Sequence, residues 1–325
     1  MSDIVGELPP LNVSTVVAID EALAGKTLAA VVRSAMGEIP WTRAQALCRD
    51  GRVRVDNKVV TDPAARLRSG VSVTIDPTGP RLRHSLGTGV VVHVDRDVVV
   101  VNKPPGLMTV RFEKTDRDTL VDQVHVLLRR LPKMELAPKT SLGVVHRLDK
   151  DTTGLLVFAR NLVAKKHLEL QFRRHTVHRR YVAIVHGRGR DATHHTTIVK
   201  DRGDRLRGSW GRFRRAPGKA PDSAQHAVTH VRVLEELRGA TLVECRLETG
   251  RQHQIRIHLS EAGTPLVGEE VYIRDFRGGQ IAAGRPMLHA TELGFVHPRT
   301  GRMVSFTQPP PEDFVTLLTT LRPRS

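Results

Sequence analysis

The sequence predicts an α+β protein in two parts, a small basic unit ahead of a larger, strand-rich one. Three observations carry that expectation. Apolar runs of period two are mixed with runs at the helical period, without the strict β-α-β-α repeat of a doubly wound sheet. The stretch Pro77 to Gly87 holds two prolines and two glycines and reads as a linker. The chain has 325 residues, enough for two cores.

The elements follow in order. Residues 1–14 read as a disordered lead-in and 15–76 as the small unit, with 77–88 as linker and 89–325 as the large unit. In the small unit a helix is expected over Leu28 to Met36. A second runs from a Thr42 cap to Arg49. Asp50-Gly51 turns into a strand in which Val53 and Val55 alternate with Arg52 and Arg54, and Asp56-Asn57 turns into Val59-Val60. In the large unit Val90 to Val94 and Val98 to Val101 flank Asp95-Arg96-Asp97 as strand, turn, strand. Leu120, Val124, Leu127, Leu128 and Leu131 share one helical face. A helix starts at the cap Asn161, with Ala164, Leu168 and Phe172 in line. Tyr181, Ala183 and Val185 alternate as a strand, and Val228 to Leu234 and Thr241 to Leu247 form two more around Arg238-Gly239. The last helix, Gln254 to Glu261, stops at Gly263, a left-handed cap.

Charge narrows the partners. There are 51 Lys and Arg against 34 Asp and Glu, a formal net of +17, and such a field captures polyanions. Residues 186–225 are rich in Arg, Gly, His and Pro. Between Lys200 and Lys219 eight basic residues surround Trp210 and Phe213, as a loop or ribbon facing RNA phosphate would. A solvated insertion gives the same composition. Two cysteines, Cys48 and Cys245, are too few for a disulfide framework or a four-thiolate zinc site. No run approaches the ~18 apolar residues of a membrane span. No secretory signal is visible over Met1 to Val13, so a cytoplasmic protein is expected.

Three stretches could carry chemistry. In His146-Arg147-Leu148-Asp149-Lys150-Asp151-Thr152-Thr153-Gly154 a strand-like run feeds a polar turn before the apolar Leu155 to Phe158. Such a turn can hold a carboxylate at a cleft, though a capped turn alone looks the same. Thr249-Gly250-Arg251-Gln252-His253-Gln254-Ile255-Arg256-Ile257-His258-Leu259 opens a helix, and a basic side chain there could pair with a carboxylate elsewhere. An amphipathic helix with a polar face also fits. Tyr181, one of two tyrosines, is either core or an acid-base hydroxyl.

Together these stretches resemble the RluA-type pseudouridine synthases. His146-Arg147-Leu148-Asp149 with Thr153-Gly154 looks like that family's signature. So do Thr249-Gly250-Arg251 with His253-Gln254-Ile255-Arg256 and His258-Leu259, and the early Asn102-Lys103-Pro104-Pro105-Gly106. The small unit is similar to an S4 RNA-binding domain over Arg43 to Lys58, with Arg43, Arg49, Arg52, Arg54 and Lys58 as its RNA contacts. The resemblance implies a catalytic domain with a mixed, largely antiparallel sheet. It implies Asp149 as the catalytic aspartate, Tyr181 as the active-site tyrosine, and Arg256 as the cation paired with Asp149. Arg147 would fill the place of the flipped nucleotide, and His146, Lys103, Thr153, Arg251, His253 and Gln254 would contact substrate. RNA is the implied partner, large-subunit ribosomal RNA first and transfer RNA next. No metal, cofactor or membrane is called for, and a monomer is expected. The sequence departs from the pattern at Trp41-Thr42, at Gln252, and at Gly268-Glu269-Glu270, where glycine-aspartate is usual.

Two other readings compete. A metal hydrolase could be argued from 16 histidines. His226 and His230 have the spacing of a zinc helix, but they fall in an expected strand, where they stand about 13 Å apart. An RNA-binding assembly factor with an inert catalytic domain would share the charge and the S4 likeness.

Overall fold

The computed structural model describes residues 13–79, 86–111, 118–129, 142–212 and 219–323. The expectations for the lead-in up to residue 12, for residues 80–85 of the linker, for Leu131 and for Phe213 lie outside these residues. The chain divides into two compact units, residues 1–84 and 85–325.

The first unit carries β1 (Thr15–Ala18), α1 (Leu28–Ala35), α2 (Trp41–Arg49), β2 (Val53–Val55), β3 (Lys58–Val59) and β4 (Ser72–Ile75). The strands form one antiparallel sheet in the order β1-β4-β2-β3. Its core is apolar, with Leu28, Val31 and Val32 of α1, Ala44, Leu47 and Cys48 of α2, and Val53, Val73 and Ile75 of the sheet all buried. Thr27 caps α1 by accepting from the Ala30 N–H. The second helix begins earlier than expected. Pro40 is its cap residue and Thr42 lies within its first turn, because proline supplies the entry geometry without a side-chain bond.

In the second unit β5 (Val91–Val94), β6 (Val98–Lys103), α3 (Leu120–Leu128), β7 (Gly143–Val144), β8 (Thr153–Ala159), α4 (Leu162–Arg173) and β9 (His178–His186) come first. Then follow β10 (Ala192–Val199), β11 (Gly208–Ser209), β12 (Gln225–Leu237), β13 (Ala240–Leu247), α5 (Gln254–Glu261), β14 (Leu288–Val296), β15 (Met303–Thr307) and α6 (Glu312–Leu321). The eleven described strands make one sheet in the order β11-β10-β12-β13-β9-β14-β8-β6-β5, with β15 on β14 and β7 on β8. Only the β14–β8 pair is parallel. The class is α+β, as the irregular mixture of elements predicts.

Period-two patterning divides the central strands between two cores. Val99, Val101, Leu156 and Phe158 face one side, with α3 and with Ile255 and Leu259 of α5. Val98, Val100, Leu155 and Val157 face the other, with Ala164 and Leu168 of α4. A strand buried on both faces reads as a continuous apolar run, which is why Leu155 to Phe158 shows no alternation. Tyr181, Ala183 and Val185 of β9 point to the first side, so the tyrosine and α5 share a face.

Gly154 departs from its expected place in a turn. It lies in β8 at φ +109°, where a Cβ would meet the Ala290 carbonyl oxygen at 2.2 Å. Gly154→Ala should therefore force β8 and β14 apart and cost at least about 2 kcal/mol by thermal or chemical denaturation. The stretch expected to be an arginine-rich loop also contains structure. Residues 192–199 are β10, paired along β12.

Candidate active site

Asp149 lies in the loop from β7 to β8, and that loop is fastened on both sides of it. Thr109 Oγ1 donates to the Leu148 carbonyl at 2.8 Å and accepts from the Leu148 N–H at 3.2 Å. Lys103, the last residue of β6, is fully buried. Its Nζ donates to the carbonyls of Pro104 (2.9 Å), Lys150 (2.6 Å) and Thr152 (3.0 Å). Burial draws its pKa down to about 7, against the raising effect of Asp151 and Asp149. Three donated bonds exhaust an ammonium group. Lys103, expected to contact substrate, is placed here as a fastener beneath the loop.

Three further expected contacts are likewise engaged by bonds within the fold. Thr153 is buried and its hydroxyl lies 2.9 Å from His289 Nδ1, while His289 Nε2 faces the Gln308 carbonyl at 3.0 Å. Gln254 accepts from Thr249 Oγ1 and the Arg251 N–H, and donates to the Val228 carbonyl and Thr229 Oγ1. All four of its bonds are spent on holding the start of α5 against β12. His146 stacks on Phe172 at 4.5 Å and accepts from the Val157 N–H at 3.1 Å. Burial, with the Arg179 charge, lowers its pKa to about 3, so it is a neutral strut in the wall of the cleft.

The other expected residues do converge. A cleft of about 360 Å³ is lined by Arg147, Asp149, Tyr181, Arg251, His253 and Arg256 together with Arg173 and Arg179. Asp149 is the one carboxylate among its described lining residues. His253 Nε2 lies 3.9 Å from Asp149 Oδ1, and Arg256 Nη1 lies 3.9 Å from Oδ2. Each carboxylate oxygen thus faces a different base. His253 reaches this position through a left-handed backbone at φ +59°, which sharpens the entry into α5.

The Asp149–Arg256 pair is looser than expected because Arg256 has a tighter partner. Its Nε and Nη2 donate to the two Glu269 oxygens at 2.8 and 2.7 Å. Glu269 Oε1 also accepts from the N–H groups of Val271 and Tyr272. Burial alone would raise the Glu269 pKa, but the Arg256 bonds and charge bring it below the ordinary glutamate range. Burial likewise works against the Arg256 charge, and Glu269 more than restores it. A second arm runs parallel, with the Tyr272 hydroxyl 2.7 Å from His253 Nδ1. Burial lowers the His253 pKa, although Asp149 pulls the other way.

Tyr181 is nine-tenths buried, and burial first, then Asp149, raises its pKa. It is a neutral phenol at neutral pH. Arg179 crosses behind Gly250, where a Cβ would meet its Nη1 at 2.4 Å, and donates to the Glu248 carbonyl at 2.8 Å. Sequence reasoning missed Thr109, Arg179, Glu269 and Tyr272. For Glu269 a signal existed in the acid after Gly268, whose φ is +80° with no room for a side chain.

The model of the RNA pseudouridylate synthase family matches residues 97–261, and that of the S4 domain matches residues 27–73. The chain belongs to the RNA pseudouridylate synthase family. It is similar to the ribosomal large subunit pseudouridine synthase D of Neisseria meningitidis, 36% identical over 92% of this chain and 80% of that one. Against the Pseudomonas aeruginosa protein of the same name the identity is 34%, over 92% and 93%. Among solved structures, human RNA pseudouridylate synthase domain containing 4 superposes with a TM-score of 0.55 at 25% identity, over 70% of this chain and 91% of that one. An RNA pseudouridine synthase is an isomerase. The cleft offers one carboxylate set among arginines.

The histidine pair of the metal reading lies on β12, opposite Thr197 and Thr193 of β10. Asp95, Asp97 and His297 come close enough to hold an ion. Their atoms already bond within the cluster and to Arg299, Asn161 and His93. No helix among the described residues is long and apolar enough to cross a membrane.

Proposed function

We propose that this synthase isomerises uridine in large-subunit ribosomal RNA, with Asp149 as its catalytic carboxylate. The observation that carries the reading is the placement of Asp149 between His253 and Arg256, alone among the arginines of the cleft. The relatives named ribosomal large subunit pseudouridine synthase D support the choice of RNA.

The reaction needs no net gain or loss of atoms. The bond from uracil N1 to ribose C1′ breaks, the base turns, and C5 bonds to C1′. The proton leaving C5 is replaced by one at N1. His253 and Arg256 flank Asp149 at 3.9 Å each and orient it toward the ribose or the uracil. Tyr181, a neutral phenol, stacks on the base and donates a hydrogen bond to it. The uridine must leave its stack first, at a cost of a few kcal/mol. Exposed Arg147 at the cleft mouth takes the vacated place, and phosphate contacts offset the rest. The protein acts as a monomer in the cytoplasm and uses no metal. Conversion of purified large-subunit RNA, scored by nucleoside chromatography, tests the reading. Pseudouridine formation supports it, and a null result with folded protein rejects it.

In the S4 unit Arg43, Arg49, Arg54 and Lys58 are exposed and available to phosphate. Arg52 is the exception, half-buried with its guanidinium on the Pro77 carbonyl. Removing the four exposed cations together should flatten the slope of log affinity against log salt by about 3 units, while Arg52→Ala acts mainly on stability. An unchanged slope would deprive this unit of its RNA role.

A further inference from the structure

We propose that the outer face of β10, β11 and β12 is a subsite for a base of the RNA strand flanking the target uridine, built on Trp210, His195 and His226. The proposal rests on the reading of the cleft as an RNA site and extends it sideways along the sheet.

The register brings these residues together. His195 lies opposite Val228, and Thr197 opposite His226, across the β10–β12 pair. The Trp210 N–H bonds the Thr197 carbonyl at 2.8 Å, continuing the β10–β11 ladder. Trp210, Thr197 and His226 therefore form a row across three strands, about 10 Å from end to end at the usual strand spacing. The row continues into the catalytic cleft. Arg251, which lines that cleft, donates from Nε to the His226 carbonyl at 2.9 Å.

The opposite face is occupied and this one is open. His194 and Thr196 turn toward α5, where Thr196 Oγ1 lies 2.8 Å from His258 Nε2. His195 and His226 instead stand exposed, their rings parallel to within 27° at 6.3 Å. Together with Trp210 and Arg212 they line a surface depression that has no carboxylate among its described lining residues.

That chemistry fits one partner. Aromatic faces without acids, on a basic sheet edge, accept a nucleobase by stacking and its phosphate by charge. Every base has such a face, so the subsite would hold a flanking nucleotide without reading its identity.

Trp41 and Trp210 are the two tryptophans, so the Trp41→Phe protein reports on Trp210 alone. It is titrated with transcribed large-subunit ribosomal RNA while indole emission and pseudouridine formation are followed together. Quenching of the indole by RNA is expected. Trp210→Ala should raise the half-saturating RNA concentration about tenfold, with the single-turnover plateau changed less than twofold, and Trp210→Phe should restore affinity. Unquenched emission and unchanged half-saturation in a protein that converts uridine overturn the subsite and leave the reading of the cleft intact. Quenching without any conversion supports the subsite and rejects the proposed reaction.

Discussion

Replacing Asp149 by asparagine is expected to lower the single-turnover rate by a factor of about 10³ or more, with the protein still folded. The size follows from what the substitution removes. A positioned carboxylate that takes or gives a proton, or forms a bond, contributes about 10² to 10⁴ in rate. The second half of the expectation comes from the loop. Thr109 holds Leu148, and Lys103 holds Lys150 and Thr152, all through the backbone. None of those bonds uses the Asp149 side chain. Its contacts with His253 and Arg256, both at 3.9 Å, are long, so the melting temperature should move little. RNA affinity should hold or rise, because the cleft loses its one negative charge. A rate within tenfold of wild type would remove Asp149 from the chemistry.

Glu269→Ala should cost about 3–5 kcal/mol, the range for breaking a buried ion pair on one side. The Glu269 side chain is fully buried and that of Arg256 is 11% exposed, so water cannot replace the lost carboxylate. Two backbone N–H groups also lose their acceptor. Glu269→Gln keeps the volume and one acceptor and should stay folded. With the Arg256 guanidinium freed to turn fully onto Asp149, the base between substrate and Arg256 is repositioned. Its rate should fall about 10- to 100-fold at unchanged half-saturation, a loss of about 1.4–2.7 kcal/mol. A purely structural role would move the melting temperature and leave that rate alone. The pH dependence has a definite sign. The Glu269 pKa is depressed in the folded state, so its stabilisation is complete above the ordinary glutamate range and is lost as pH falls through the folded value. The gap in stability between wild type and Glu269→Gln should close on acidification.

Much of this arrangement was legible in the sequence, for physical reasons. Helices with a local cap, such as Asn161 ahead of α4, declare themselves over four residues. So do half-buried strands such as β9, where Tyr181 to Val185 alternates. Asp149, Arg256 and Tyr181 were visible as residue types in motifs. Their meeting depends on β9 and α5 sharing one side of the sheet, which no local window records. Roles that depend on hydrogen-bond saturation were not visible. Lys103 and Gln254 are polar residues in signature motifs, and only a count of their partners shows that no donor or acceptor is left for substrate. Glu269 was visible as a departure from the usual aspartate, and its importance emerged once Arg256 was seen to prefer it. Gly154 misled because glycine suggests a turn, whereas here it permits a close strand crossing.

The most direct test of the central claim is carbodiimide mapping of pseudouridine in large-subunit ribosomal RNA from cells lacking the gene. They would be complemented either with the wild-type chain or with Asp149→Ala at equal protein level. Loss of one or more pseudouridines on deletion, restored by the wild-type chain and not by Asp149→Ala, is the predicted result. Restoration by Asp149→Ala, or an unchanged map on deletion, would contradict it.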